Sequence, residues 1–98
     1  MADNSIASLA QLDNRWEISG DVLISTANEL LKQSENFTLA QNTQVDFAKV
    51  TDVDTAAVSL ILEWKRRAEK DNQTLSFVNL PANLVSLMRL YDVDELIN

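Results

Sequence analysis

The chain has 98 residues, 46% of them hydrophobic, with one glycine (Gly20) and one proline (Pro81), which is the make-up of one domain, 1–98, with a small core and no linker or low-complexity tract. Eight Lys and Arg stand against fifteen Asp and Glu, and the resulting formal charge of −7 disfavours nucleic acid and anionic membrane surfaces as partners, because phosphates repel it. With no Cys and no His, disulfides, Cys/His zinc sites, thiol nucleophiles and His-based triads are excluded, and a single glycine excludes Gly-rich phosphate loops.

Residues 5–11 have mixed, alternating character and predict an edge strand. Alternation at Trp16-Glu17-Ile18-Ser19 predicts a second strand over 14–19, which Gly20 breaks, with 22–24 as a short extension. Thr26 with Glu29 three residues on fits a capping box. Ala27, Leu30 and Leu31 share a face behind it, so a helix is expected over about 26–34. Residues 35–42 are polar and loop-like. Val45 and Phe47 point the same way in a strand over 43–47, and 49–54 reads as a connection.

The longest helix is predicted over Thr55–Lys70. Ala57, Leu60, Ile61, Trp64 and Ala68 recur at helical spacing, Val58 and Leu62 widen the stripe, and Ser59, Glu63, Arg66 and Lys70 lie opposite. The basic cluster Lys65, Arg66, Arg67 and Lys70 reads as the solvated end of that helix, where cations suit the dipole. Asp71-Asn72 turns the chain into a strand over Thr74–Val78. Pro81 falls in the first turn of a last helix marked by Leu84, Leu87, Met88 and Tyr91, and Val93, Leu96 and Ile97 remain available to pack. The order is β-β-α-β-α-β-α. Strands separated by helices require crossovers, hence a mixed, at least partly parallel sheet, with the helices mainly on one face.

No basic region followed by an apolar run opens the sequence, and no apolar stretch approaches ~20 residues, so a cytoplasmic protein without membrane insertion is expected. The densest chemistry is Asp52-Val53-Asp54-Thr55, at the mouth of the longest helix. Two carboxylates can do acid–base work or hold magnesium, but these lack a His, Lys or metal partner nearby, and acids at a helix start are favoured by the dipole alone. Either Asp54 or Thr55 accepts a backbone N–H and caps the helix, for about 1 kcal/mol. The competing role for Thr55 is a hydroxyl that faces solvent and is read by a partner or a kinase. Trp16, Trp64, Met88 and Tyr91 read as packing residues, with Trp64 as a partner anchor the minority reading. No catalytic residue, cofactor or metal is expected.

A strand ending in Val-Asp-Phe, the loop Val-Thr-Asp-Val-Asp, a hydroxyl residue on an apolar helix, a further strand and the ending "LMRLYDVDELI" resemble the STAS family, the domain of sulphate transporters and anti-sigma factor antagonists. Upstream, "WEISGDVLISTANELL" resembles its strand, glycine and first helix. The resemblance spans nearly the whole chain and implies the STAS-like (SpoIIaa-like) α/β fold. The family's acid, Ser or Thr, and two small residues correspond to Asp54-Thr55-Ala56-Ala57; the usual glycine is absent here, which bears on any partner contact needing close backbone approach.

Within the family the chain is most similar to the small cytoplasmic STAS subunits of Mla-type phospholipid-transport ABC systems. That resemblance implies an adaptor that binds the ABC transporter ATPase subunit at the inner face of the inner membrane, with Asp52, Asp54, Thr55, Ala56, Ser59 and Glu63 as partner-binding residues. The alternative it implies is an anti-sigma factor antagonist, phosphorylated at Thr55 by a kinase-like anti-sigma factor; "DTAA" leans away from that group.

Overall fold

Seven elements occur in the expected order in a computed structural model that describes residues 7–37 and 42–93: β1 (Ser8–Leu12), β2 (Arg15–Val22), α1 (Ala27–Ser34), β3 (Asn42–Val53), α2 (Thr55–Lys70), β4 (Thr74–Val78) and α3 (Ala82–Leu90). They build a four-stranded mixed sheet in the order β1-β2-β3-β4. A tight hairpin makes β1 antiparallel to β2. The α1 and α2 crossovers make β2/β3 and β3/β4 parallel, with Trp16 opposite Val45 and Val45 opposite Phe77.

All three helices supply the core on one face of the sheet. Trp16, Ile18, Val45, Phe47, Leu75 and Phe77 from the strands meet Leu30, Leu60, Ile61, Trp64, Leu84 and Met88 from the helices, and each of these is buried. Every residue assigned to the α2 stripe is buried except Leu62, which is partly so, and Ser59, Glu63, Arg66 and Lys70 are exposed. Trp16 stacks edge-on against Trp64 at 5.6 Å and Phe37 at 5.4 Å. The Trp64 indole N–H donates to Ser34 Oγ at 2.9 Å, and that hydroxyl donates to Leu31 O at 2.7 Å. Trp64 is 1% exposed, so the partner-anchor reading fails.

Four local readings need correction. Gly20 does not end β2. At φ 91° it lets the strand continue to Val22, and Leu23 and Ile24 form a turn instead. The stretch read as a connection, 49–54, is strand to Val53. The β2/β3 register slips between Glu17 and Ser19 and again between Gly20 and Asp21, with the extra residue in β3 each time. Each bulge converts the inward spacing from two to three, so Phe47, Val50 and Val53 turn inward and the simple alternation disappears. The capping box does not form. Thr26 caps no helix N–H; its hydroxyl accepts from Leu23 N–H and donates to Asp21 O at 2.7 Å, claimed by the turn that precedes the helix. Pro81 sits one residue before α3, at its cap. Only the part of the first predicted strand from residue 7 onward, and Val93 of the apolar tail, fall within the described residues.

The basic cluster on α2 is also not simply solvated. Arg67 donates to Ser34 O at 2.7 Å and to Phe37 O, and its guanidinium lies 5.7 Å above the Trp16 ring. Lys65 donates to Leu75 O at 3.3 Å. A chain with one glycine still needs left-handed turns, and Asp13, Asn72, Asn79 and Asp92 provide them at φ between 56° and 60°. Asn72 and Asp92 close α2 and α3, where Gln73 N–H reaches back to Ala68 O and Val93 N–H to Met88 O. The outer edge of β1 is blunted by α1, because Gln33 Oε1 accepts the Leu9 N–H at 2.9 Å.

The other face of the sheet is polar and carries Arg15, Glu17, Asp46 and Lys49 in a set of ion pairs at 3.6–4.0 Å. Asp46 is buried, and the Asn79 side chain donates to it at 2.9 Å. That bond, joined by the Ala48 N–H and the charges of Arg15 and Lys49, holds its carboxyl below 3.8 against the opposing effect of burial. A carboxyl whose pKa falls on folding stabilises the fold above its unfolded pKa and loses that contribution as pH drops through the folded one. Asp46→Asn is therefore expected to narrow the gap between melting temperatures at pH 7 and pH 3, measured by circular dichroism. An unchanged gap would place the acid sensitivity elsewhere.

Candidate partner-binding site

The α2 N-terminus lies at the carboxyl ends of the parallel strands β2 and β3. Asp54 is extended, at φ −135° and ψ −166°, and is the cap: its Oδ1 accepts Ala56 N–H at 2.8 Å. Its other oxygen accepts Ile24 N–H at 3.1 Å, so one carboxylate pins the β2–α1 turn to the start of α2. This settles which of Asp54 and Thr55 caps. Thr55 is the first helical residue, it is exposed, and its side chain makes no hydrogen bond among the described residues. Ala57, where the family pattern has a small residue or glycine, is fully buried in the core. Asp52 is exposed and accepts Val53 N–H at 2.9 Å, while Thr51 donates to Asp21. No group of three or more metal-ligating side chains occurs among the described residues.

Ser59 and Glu63 follow Thr55 one and two turns along α2 and share its exposed face. Two shallow grooves meet at Thr55. One, of about 710 Å³, runs between α1, α2 and the end of α3 and is lined by Ile24, Leu31, Thr55, Ser59, Glu63 and Tyr91 among others. The second, of about 580 Å³, lies between the α2 start and α3, with Asp54, Thr55, Leu87 and Leu90 on its walls. The structure thus brings together Asp54, Thr55, Ala56, Ser59 and Glu63, and leaves Asp52 beside the grooves without lining either.

Sequence reasoning missed the apolar half of this surface. Ile24 is 82% exposed, Leu90 74% and Tyr91 53%, and all three line the grooves that meet at Thr55. Tyr91 was expected to pack; it falls one residue past the end of α3, where the chain leaves the helix and the ring is released to the surface. Large exposed hydrophobics are few here, Leu12 being the other among the described residues, and these three line grooves that meet at one residue.

A mixed four-stranded sheet with three helices, in the order β-β-α-β-α-β-α, is the fold of an STAS domain. The chain belongs to the STAS domain family: the family model described as "Mlab, STAS domain" matches residues 8–98. Among solved structures it resembles a sulfate transporter family protein from Wolinella succinogenes, with TM-score 0.70 at 15% identity over 87% of this chain and 70% of that one. It equally resembles the anti-sigma factor antagonist SpoIIAA in its unphosphorylated form, with TM-score 0.70 at 14% identity over 91% of this chain and 83% of that one. The phosphorylated form of the Bacillus cell fate determinant SpoIIAA gives 0.64 at 12% identity, over 91% of this chain and 86% of the other. No curated protein matches. Domains of this family are generally regulatory or adaptor modules that interact with partner proteins. No helix among the described residues is long and apolar enough to cross a membrane.

Proposed function

We propose that the chain is a non-enzymatic adaptor that binds the ATPase subunit of an Mla-type phospholipid-transport ABC transporter and supports its assembly or activity. Residues 1–98 act as a single STAS domain, cytoplasmic and held at the inner face of the inner membrane through that partner. The observation that carries this reading is the convergence of Ile24, Leu90 and Tyr91 on Thr55, next to the acids Asp54 and Glu63. Such a surface suits a protein contact, with apolar anchors and a polar rim. The description of the matching family model supports the choice of transporter. Asp52 contributes charge at the margin of the contact.

The exposed Thr55 hydroxyl, without a hydrogen bond among the described residues, favours a second reading, in which the chain is an anti-sigma factor antagonist phosphorylated there by a kinase-like anti-sigma factor. One experiment separates the two. Under the first reading, a tagged copy retains the purified ATPase and changes its rate of ATP hydrolysis. Failure to retain it, together with phosphate transfer to Thr55 by the anti-sigma factor, would establish the second.

A further inference from the structure

The two grooves also define what a partner must present. Their walls are mainly apolar, and among the described residues the acidic side chains that line them are Glu63 in one and Asp54 in the other, with no Lys or Arg in either. Arg66 bonds Glu63 at 2.7 Å from outside the groove and offsets that charge in part. Exposed Glu29, Asp52 and Asp92 lie next in sequence to groove-lining Asn28, Val53 and Tyr91, against exposed Lys32 and Arg89 beside groove-lining Leu31 and Leu90, so the margins add a small excess of negative charge to that of the walls. Residues of α1, α2 and α3 form most of the walls, with Val53 at the end of β3 in the second groove, so the apolar seats lie between helices.

We infer that the occupant of this surface is a basic amphipathic helix, whose apolar face bridges Ile24, Tyr91 and Leu90 across Thr55 and whose Lys or Arg flank faces Glu63 and the acidic margin. Helix-in-groove binding uses apolar residues spaced along one face, and opposite charge at the rim selects the partner and speeds its arrival. This rests on the partner-binding reading and specifies the chemistry of the partner's contacting segment.

The test uses the full chain and two labelled synthetic peptides of about five helical turns, sharing one leucine face but carrying either Lys or Glu on the flanks, titrated by fluorescence anisotropy. The Lys peptide is expected to bind about tenfold or more tighter than the Glu peptide at low salt, with the gap closing as salt rises. Ile24→Asp and Tyr91→Asp, both at exposed positions, should remove most of the binding of the Lys peptide, and Glu63→Lys should bring the two peptides close together. Equal affinities, a preference for the Glu peptide, no binding of either, or undiminished Lys-peptide binding by Ile24→Asp would each overturn the inference. Retention of the ATPase is measured separately, so its success beside a failed peptide preference would leave the adaptor reading standing and remove only the basic-helix one.

Discussion

Leu60→Asp is expected to abolish the cooperative fold. Leu60 is 3% exposed on the inward face of α2, in the same cluster as Ile61, Trp64 and Leu84. The substitution removes a buried aliphatic side chain, which costs about 2–5 kcal/mol when the space is left unfilled. It then asks a carboxylate to leave water with no cation assigned to it, at an effective penalty of several kcal/mol more unless the group protonates. Domains of this size have about 5–15 kcal/mol in total, so the two terms together reach the whole of it. Circular dichroism should show no cooperative melt at pH 7. Leu60→Met, which keeps volume and polarity, should cost under about 1.5 kcal/mol and retain the transition. A cooperative melt in Leu60→Asp within a few degrees of the parent would mean that the inward face of α2 is not the centre of the core.

That prediction could be written from sequence, because α2 is where every local signal agrees. Its apolar spacing, the acid at its start and the Asp-Asn turn at its end coincide, and the helix occupies Thr55–Lys70 as expected. The strand Thr74–Val78 is equally legible, because Leu75 and Phe77 alternate cleanly with Ser76 and Val78. Where signals compete, sequence reading fails. In β3 two bulges break the period that identifies a strand, and the result looks like a loop. At Thr26 the hydroxyl has two sets of backbone groups within reach, and tertiary geometry, not the S/T-x-x-E pattern, decides that it bonds Asp21 and Leu23.

The candidate site was half legible for a related reason. Thr55, Ser59 and Glu63 share one face of α2 at four-residue spacing, with Asp54 as its cap and Ala56 beside Thr55, so their proximity follows from the sequence. Ile24 comes from the turn after β2, and Leu90 and Tyr91 from the end of α3. What unites them with Thr55 is the docking of three separate elements. Within its own segment each reads as an ordinary core residue; only the assembled surface shows that they stay outside. The Asp54 carboxylate is the physical link, since its two oxygens serve Ala56 on the helix and Ile24 on the turn, and so hold the exposed isoleucine beside Thr55.

Thr55→Glu is expected to keep the melting temperature of the parent within a few degrees and to weaken ATPase binding by about a hundredfold or more. The two halves have different causes. In the free protein, residue 55 is the first of α2, is exposed, and bonds to nothing among the described residues, so no native contact is lost. A carboxylate in the first helical turn also gains from the dipole, by about 0.3–1 kcal/mol, which offsets repulsion from Asp52 and Asp54. The same position lines both grooves, and under the proposed adaptor reading the partner's apolar face covers it. A carboxylate there is desolvated on binding, at a cost of several kcal/mol, which corresponds to a hundredfold or more in affinity at about 1.4 kcal/mol per tenfold. A basic partner does not rescue it, because its cations face the rim at Glu63 and not the ridge at Thr55. Thr55→Ser keeps a small hydroxyl and should bind like the parent. Retained ATPase affinity in Thr55→Glu would put residue 55 outside the contact, and a mutant that loses its cooperative melt would make Thr55 a structural residue.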